Sequence, residues 1–500
     1  MNATVLGMIK GEVLYRDNSS MPNRNIIVFG GPGSYKTQSV VITNVFSETE
    51  NSMVVTDPKG EVYEKTAAVK RLQGYDIRVI NFDDMRHSDR YNPFDYISRD
   101  TDASTVADKI VESANRDAKK DVWYYSQRSL LKALILYVIH ESMPEDRNLR
   151  GVTRFLQAYG TIVDKKSGRC GLDEPFEKLE LSHPARRNYE LGFKQTQGET
   201  RASVIFSLLT TLADFVDDEV GEFSSFSDFD LQDIGKRKII LYIKIPILKK
   251  TYESLINLFL TQLFVALYDL GDSNHARLPN CVNFILDEFP SLGKFAQYED
   301  FLATCRGYGI GVTTICQSLT QLQDKYGRDR AESILGNNAV KMCLNAANQT
   351  TAKYFSSLLG KATVKVETGS TSYSRSTTES RSTSDSFNFT SRDLMTPDEI
   401  EKLQPDESII VFTNSYPLRA KKAFQFKLFP GADSLGVVNQ KDYEGTPDAK
   451  QLHKFQQKTE AFFSKTETQI NELQTTADLM AELQPGDMLS AGDSLFNGGD

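Results

Sequence analysis

The sequence predicts an α/β protein with a mostly parallel sheet, and three observations lead to this prediction. A glycine-rich segment lies between an apolar run and a helix-like stretch, and a second apolar run far along the chain ends in two carboxylates. Apolar runs also alternate with helical patterns in two separated regions, which is the order that βα units produce. The predicted strands are Ile26–Phe29, Met53–Thr56, Ile77–Ile80, Ile239–Ile245, Val282–Leu286, Gly311–Ile315, Val340–Leu344 and Ile409–Phe412.

The glycine-rich segment has the composition of a phosphate-binding loop. Glycines let consecutive backbone N–H groups point at phosphate oxygens, and the helix that follows adds the positive end of its dipole. Lys36 is expected to reach the β and γ phosphates, and the Thr37 hydroxyl to bind Mg²⁺. The predicted nucleotide-binding residues of the loop are Gly30, Gly33, Ser34, Tyr35, Lys36 and Thr37. The usual pattern has glycine directly before the lysine, so the backbone at Tyr35 must accept a Cβ; the alternative is a simple glycine turn before a helix.

The carboxylates after the second apolar run complete the predicted site. A strand buried on both faces delivers Asp287 to the carboxyl edge of the sheet, where open α/β folds bind ligands. We expect Asp287 to hold Mg²⁺ and Glu288 to act as general base on the attacking water. An ordinary acidic turn is the alternative. Together the two segments predict binding and hydrolysis of a nucleoside triphosphate, with ATP and Mg²⁺ as the expected ligands.

Two further polar residues follow predicted strands. Gln317 comes after Gly311–Ile315, where an amide could orient the attacking water or sense the γ-phosphate; a helix-capping glutamine is the alternative. Asp57 follows Met53–Thr56 and could support the Mg²⁺ shell, although Asp-Pro-Lys-Gly is also a typical turn.

Changes in composition and hydrophobic periodicity divide the chain into four parts. Residues 1–104 and 227–430 contain the predicted strands. Residues 105–226 show helical periodicity, which predicts an inserted all-α domain. Within the second α/β part, the Ser/Thr-rich tract 363–392 predicts a mobile loop. Residues 431–500 hold twelve acidic and five basic residues, a net charge of −7 out of −9 for the whole chain. This tail is predicted to be disordered, or to serve as a docking or autoinhibitory segment.

The charge and hydropathy of the chain limit its partners. A net charge of −9 argues against a protein that coats polyanions, but a local basic lining could still guide nucleic acid. Candidates are Lys236-Arg237-Lys238, Lys249-Lys250 and Arg419 with Lys421 and Lys422, each of which could equally be a solvated face. Similarly, Trp123-Tyr124-Tyr125 could stack bases or belong to a core. No apolar run approaches the ~20 residues that cross a bilayer, so the chain as given is expected to be soluble.

Several motifs, in this order, resemble those of the type IV secretion coupling ATPases of the TraG/VirD type. The resemblance covers about residues 5–430, and its most specific part is the segment that starts at Asp287. The motifs are Asp57-Pro58-Lys59-Gly60-Glu61, Tyr91-Asn92-Pro93-Phe94, Asp287-Glu288-Phe289-Pro290-Ser291-Leu292-Gly293-Lys294, Cys316-Gln317-Ser318-Leu319-Thr320-Gln321-Leu322 with Tyr326-Gly327, and Leu394-Met395-Thr396-Pro397-Asp398-Glu399.

This resemblance implies a RecA-like P-loop NTPase motor domain, an all-α domain that contacts substrate, and a hexamer around a channel. It also implies a catalytic glutamine, which matches Gln317, and an arginine finger, which matches Arg306. Because the helix after Asp287 runs back along the sheet, Arg306 should lie far from the γ-phosphate of its own subunit and act in trans. Family members commonly carry two N-terminal membrane helices. Here an anchor is either borrowed from a partner or not part of this chain, and the expected location is the cytoplasmic face of the bacterial membrane.

The resulting functional hypothesis is an ATP-driven coupling protein that delivers a conjugative DNA–relaxase or protein substrate to a type IV secretion channel. The expected partners are conjugative DNA, single-stranded by this hypothesis, the relaxase and its accessory proteins, and the secretion channel proteins. Two alternatives remain open. One is an FtsK/HerA-like translocase of double-stranded DNA, and the other is a substrate-docking receptor in which ATP only gates assembly.

Overall fold

The computed structural model describes residues 3–17, 23–114, 120–164, 169–196, 199–246, 252–293, 295, 297–375 and 379–482. The chain divides into two compact units. The first unit comprises Met1–Tyr96, Asp108–Lys119 and Asp230–Gly445, and the second comprises Ile97–Ala107, Lys120–Phe229 and Thr446–Asp500.

Fifteen strands are numbered in chain order along the described residues. They are β1 (Ala3–Ile9), β2 (Glu12–Asp17), β3 (Ile26–Gly30), β4 (Ser52–Thr56), β5 (Asp76–Asn81), β6 (Ile162–Asp164), β7 (Arg169–Cys170), β8 (Ile239–Lys244), β9 (Val282–Leu286), β10 (Ile310–Cys316), β11 (Val340–Asn345), β12 (Lys361–Arg375), β13 (Glu379–Asp393), β14 (Glu407–Phe412) and β15 (Leu418–Lys421).

The α-helices of the described residues are numbered in the same way. They are α1 (Ile42–Ser47), α2 (Glu61–Leu72), α3 (Asp102–Ala114), α4 (Val122–Glu141), α5 (Leu149–Tyr159), α6 (Asp173–Glu177), α7 (Pro184–Leu191), α8 (Glu199–Thr211), α9 (Asp218–Phe223), α10 (Glu253–Ser273), α11 (Tyr298–Thr304), α12 (Leu319–Tyr326), α13 (Arg328–Gly336), α14 (Gln349–Leu359), α15 (Pro397–Glu401), α16 (Gln425–Leu428) and α17 (Ala449–Glu482).

The first unit is built on an 11-stranded sheet in the order β2-β1-β15-β14-β11-β3-β10-β9-β4-β8-β5. From β11 to β5 neighbouring strands are parallel, and β14, β15, β1 and β2 extend the sheet in antiparallel fashion. All eight strands predicted from the sequence are present, so the mostly parallel α/β fold is confirmed.

The central strands are apolar along their whole length because both of their faces are covered. Every residue of β3, β4 and β10 is buried, as expected for a parallel sheet packed between helices. One helix of the described residues, α10, has the length and composition to cross a membrane. Its apolar side chains instead pack in the core of this unit, where the Phe264 ring contacts Phe284 and Phe301.

The second unit is mostly helical, with one short antiparallel strand pair, β6 and β7. Its core includes a buried ion pair between Arg201 and Asp173, and Asp173 also accepts a hydrogen bond from the Tyr189 hydroxyl at 2.8 Å. The Arg201 Nη2 also donates to the Tyr189 hydroxyl at 2.7 Å, so the two charges share a hydrogen-bonding neighbour.

Residues 431–482 carry secondary structure where the sequence predicts a disordered tail. Two short 3₁₀ turns precede α17, and α17 is part of the second unit. The Phe455 ring packs edge-on against Phe226, with centroids 5.4 Å apart, and the Arg147 guanidinium lies over the Phe462 ring. The two aromatic side chains of α17 lie on one face of a mostly polar helix. Because the tail has few apolar residues, its sequence does not reveal this face. Residues 483–500 lie outside the described part of the chain.

The Ser/Thr-rich tract 363–392 also differs from the prediction of a loop. It forms most of a two-stranded antiparallel hairpin, β12 with β13, which pairs continuously from Lys361 with Asp393 to Arg375 with Glu379. Threonine, serine and valine suit a strand, and the ladder pairs the inward-facing backbone groups of the two strands. Residues 376–378 are outside the described ranges.

Candidate nucleotide-binding site

The two sequence segments predicted to form one site meet at the carboxyl edge of the sheet. β10 lies between β3 and β9 and pairs in parallel with both, so all three strands end at the same edge of the sheet. The Thr37 Oγ1 lies 3.5 Å from the Asp287 Oδ2. Both residues line a cleft of about 610 Å³. The cleft is lined by Gly31, Pro32, Gly33, Ser34, Tyr35, Lys36, Thr37, Gln38, Asp57, Pro58, Lys59, Glu61, Asp287, Glu288, Ser291, Gln317 and Gln321.

The glycine-rich loop has a conformation that explains its composition. Gly33 has a left-handed backbone with φ +72°, and a Cβ at Gly30 would lie 2.4 Å from the Ser34 hydroxyl oxygen. Tyr35 is also left-handed, with φ +63°, which is where the usual glycine would be favoured. The loop leads into a π-helical turn, Thr37–Val41, and then into α1. The departure at Tyr35 therefore places a residue with a Cβ in a left-handed conformation, which is strained.

Asp287 is a buried carboxylate held by its neighbours. Its Oδ1 accepts a hydrogen bond from the Glu288 N–H at 3.0 Å, and its carbonyl oxygen accepts one from the Thr56 hydroxyl at 2.8 Å. Burial raises the pKa of Asp287 to about 6, and repulsion from Glu288 adds to this effect. A buried anion beside a hydroxyl offers the hard oxygen ligands that Mg²⁺ prefers. Asp287 and Thr37 therefore fit a Mg²⁺ site.

A polar cluster lies beside Asp287 in the cleft and consists of Glu288, Gln317 and Lys36. Glu288 is a non-glycine residue with a left-handed backbone, φ +51°. The Gln317 Nε2 donates to both of its carboxylate oxygens, at 3.1 and 3.0 Å. The Lys36 Nζ lies 3.9 Å from the Glu288 Oε1 and donates to the Gly30 carbonyl at 2.7 Å. The structure thus brings together the predicted base, the predicted amide and the predicted phosphate ligand.

Asp57 lines the same cleft, but its carboxylate has a structural contact. The Asp57 Oδ2 accepts a hydrogen bond from the Tyr63 N–H at 2.8 Å, in the first turn of α2. Burial raises the pKa of Asp57 to about 6. This geometry favours the turn interpretation of Asp57, and a contribution to the Mg²⁺ shell remains a prediction.

The raised pKa of Asp287 predicts a stability change that depends on pH. An unperturbed aspartate has a pKa of about 3.9, so the folded state binds this proton more tightly than the unfolded state. Stability is therefore lost as the pH rises from about 4 to above 6. Without nucleotide or metal, Asp287→Asn should stabilise the first unit by ~2–3 kcal/mol at pH 7.5, and by about half of that at pH 5. Urea denaturation at both pH values measures this gain. A destabilised variant at pH 7.5 would contradict the prediction.

Arg306 lies at the opposite edge of the sheet from this cleft. It follows α11 in a short 3₁₀ turn, Cys305–Tyr308, just before β10 begins. The seven residues of β10 span roughly 20 Å, which is much longer than an arginine side chain. Arg306 is exposed, and its guanidinium makes no hydrogen bond or ion pair within the described ranges. The position agrees with the geometric argument that Arg306 cannot serve the site of its own subunit.

The sequence places Lys422 only in a candidate basic lining, whereas the structure shows that it contacts the phosphate loop. It is buried, and its Nζ donates to the Ser34 carbonyl of the phosphate loop at 2.9 Å and to the Pro405 carbonyl at 2.8 Å. Burial lowers the pKa of Lys422 to about 8. The sequence signal is a lysine directly after β15, at a position where the alternation of exposed Arg419 and Lys421 with buried Ala420 predicts a buried side chain.

Within the described part of the chain, the other basic side chains of these clusters are engaged by neighbouring groups. Arg237 pairs with Asp76 and Asp233, and Lys238 donates to the Gln73 carbonyl. Arg419 and Lys421 pair with Glu407. Lys249 and Lys250 lie outside the described part of the chain.

The three aromatic residues at the start of α4 divide between the core and the surface. Tyr124 is buried, whereas Trp123 and Tyr125 are exposed. The core interpretation therefore holds for Tyr124, and the other two rings are accessible.

The fold and the site define a RecA-like P-loop nucleotide-binding protein. The chain belongs to the family described as "Type IV secretory system Conjugative DNA transfer", whose model matches residues 2–471. The conjugal transfer protein TraG of Rhizobium radiobacter is 28% identical over 444 residues, which is 84% of this chain and 64% of that relative. The type IV secretion system-coupling protein VirD4 of Bartonella henselae is 24% identical over 443 residues, 85% of this chain and 66% of that relative. The chain thus spans about two thirds of the length of these relatives.

Solved structures of TrwB share this fold. The unbound form of the bacterial conjugative coupling protein TrwBdeltaN70 aligns with a TM-score of 0.61 and 18% identity, covering 89% of this chain and 91% of that one. TrwB in complex with ADP and Mg²⁺ aligns with a TM-score of 0.58 and 19% identity, covering 84% and 88%.

Proposed function

We propose that this chain is an ATP-hydrolysing coupling protein that recruits a conjugative DNA–relaxase or protein substrate and delivers it to a type IV secretion channel. The observation that carries the proposal is the convergence of Lys36, Thr37, Asp287, Glu288 and Gln317 in one cleft. Membership of the conjugative DNA transfer family supports the substrate and the secretion context. The structure of TrwB with ADP and Mg²⁺ supports the ligands.

Each side chain of the cleft has one task in this proposal. The loop N–H groups and Lys36 bind the phosphates, and Thr37 with Asp287 would hold Mg²⁺. Bound Mg²⁺ would supply positive charge that offsets the charge developing on the phosphate oxygens. Glu288 accepts the proton of the water that attacks the γ-phosphorus, as a positioned general base.

Gln317 holds Glu288 before the nucleotide binds. Its amide donates to both carboxylate oxygens, which orients Glu288 and leaves each oxygen a further lone pair for the proton of water. Gln317 can then orient the attacking water and respond to the loss of the γ-phosphate. In this proposal the nucleotide is sensed at the carboxyl end of β10, and the amino end of β10 connects to the turn that carries Arg306.

We further propose that the active form is a ring, a hexamer by analogy with the family. Arg306 lies too far from its own cleft and carries an unpaired charge within the described ranges, so a neighbouring subunit is the site that it can complete. The relaxase with its accessory proteins and the channel proteins are the proposed partners. The proposed location is the cytoplasmic face of the cell membrane.

The proposal is tested by restoring transfer in a donor strain that lacks this protein. The parent chain should restore transfer of the element's DNA to recipient cells, and Lys36→Ala should not, because the phosphates lose their cation. Lys353→Ala, which changes an exposed lysine on α14, is the matched control and should transfer normally. Equal transfer by Lys36→Ala and the parent chain would contradict the proposal.

A further inference from the structure

Tyr35 stands where phosphate loops usually have glycine, and the structure holds its ring firmly from one side. The Phe424 ring contacts it edge-on, with centroids 5.5 Å apart and an interplanar angle of 84°. The Lys422 ammonium lies 5.9 Å from the centroid of the Tyr35 ring. Both contacts come from the segment that follows β15, so the ring is positioned by a part of the chain distant in sequence.

The other side of the ring is open and belongs to the cleft. Tyr35 is 48% exposed and lines the same cleft as Lys36 and Thr37. Its backbone adopts φ +63°, a conformation that is unfavourable for a residue with a Cβ. A half-exposed ring adds little to folding, and glycine would remove the strain. Strain of this kind that persists beside a ligand cleft points to a functional side chain.

We infer that the Tyr35 ring is a stacking surface for the base of the nucleotide whose phosphates the loop binds, an inference that rests on the proposed function. Stacking of a base on an aromatic ring accepts any base, because every base has a π-face. The ring lines the same cleft as the phosphate-binding residues Lys36 and Thr37, so in this inference it lies beside the bound nucleotide.

Phe424 and Lys422 are positioning residues in this arrangement. Lys422 donates to the Ser34 carbonyl and also lies beside the Tyr35 ring. It therefore fixes the distance between the phosphate-binding backbone and the stacking surface. Gln38 lines the cleft two residues beyond Lys36, and the buried Gln425 orients its side chain by donating to the Gln38 Oε1 at 3.1 Å. The amide of Gln38 is placed to meet the polar edge of a base.

Equilibrium binding of ATP, GTP and inorganic tripolyphosphate, each with Mg²⁺, separates the base from the phosphates. The variants are Tyr35→Gly, which suits the left-handed backbone, and Tyr35→Phe, which keeps the ring. Tyr416→Ala removes a tyrosine that is 88% exposed in the turn after β14 and is the control. Tyr35→Gly should weaken ATP and GTP binding about tenfold and leave tripolyphosphate binding unchanged. Tyr35→Phe and Tyr416→Ala should bind all three as the parent chain does.

Two results would overturn the inference while leaving the phosphate site intact. Unchanged ATP binding by Tyr35→Gly would mean that the ring faces a protein neighbour instead, such as a second copy of this chain. Equal weakening of ATP and tripolyphosphate would mean that Tyr35 only shapes the loop. Failure of the parent chain to bind either ligand would contradict the proposed function itself, and the inference with it.

Photolabelling gives a readout that a structural role would not change. An azido group on the adenine of ATP reacts with the side chain beside the base, so light should attach the nucleotide to the tryptic peptide from Asn25 to Lys36, at Tyr35. Unlabelled ATP should compete for this labelling. Labelling confined to other peptides would overturn the inference.

Discussion

Arg306→Ala should lower ATP turnover by the assembled ring 10³–10⁵-fold, because an arginine finger stabilises charge that develops only in the transition state. The physical basis is the position of Arg306 at the amino end of β10, while the phosphate loop lies at the carboxyl end of β3. The variant should bind ATP with unchanged affinity, since the arginine acts on charge that is absent from the bound ground state. Steady-state hydrolysis and equilibrium binding measure the two quantities separately.

Mixing two inactive variants shows whether Arg306 acts in trans. Arg306→Ala subunits keep Lys36, and Lys36→Ala subunits keep Arg306, so a mixed ring contains some complete sites at the boundaries between them. Activity should therefore reappear on mixing and depend on the ratio of the two variants. Arg330→Ala, which removes a cation that pairs with Glu299 on the same subunit, is the control and should hydrolyse ATP normally. Absence of recovery on mixing would contradict the assignment of Arg306.

Glu288→Gln should lower the rate of hydrolysis 10²–10⁴-fold and preserve nucleotide binding, because it removes only the proton acceptor. The substitution keeps the size of the side chain and one acceptor oxygen for the Gln317 amide, which donates to both oxygens in the parent chain. A loss of rate therefore reports the carboxylate and not the packing of the site. Single-turnover hydrolysis measures this step directly.

A matched variant separates this effect from a general loss of acidic charge near the cleft. Glu299→Gln changes a carboxylate on α11 that pairs with Arg330 and should leave the rate unchanged. If Glu288→Gln retained more than about a tenth of the parent rate, Glu288 would not be the general base.

The strands that position the site could be predicted because they are continuous apolar runs. β3, β9 and β10 are buried on both faces, and their register brings Gly30, Asp287 and Gln317 to one edge of the sheet. The antiparallel strand β1 was not predicted, although it is a mostly apolar run of seven residues. The strands β2 and β15 were not predicted because β15 is short and β2 carries exposed polar residues. Local patterns of this kind do not distinguish an edge strand from a turn.

Contacts between distant parts of the chain explain what the sequence could not show. Lys422 and Ser34 are 388 positions apart, and no local pattern links a lysine after β15 to the phosphate loop. The ring contact between Tyr35 and Phe424 has the same origin. For α17 the sequence signal was the acidic composition, while the packing of Phe455 on Phe226 depends on the fold of the second unit.

ATP hydrolysis by the purified chain, with and without single-stranded and double-stranded DNA, tests the central claim most directly. Single-stranded DNA should strongly stimulate ATP hydrolysis by the parent chain. This stimulation should rise with protein concentration and be absent in Lys36→Ala. Preference for duplex DNA would indicate a double-stranded DNA translocase instead. Nucleotide binding with negligible turnover on either DNA, under conditions where the ring assembles, would contradict a motor and favour a docking receptor gated by ATP.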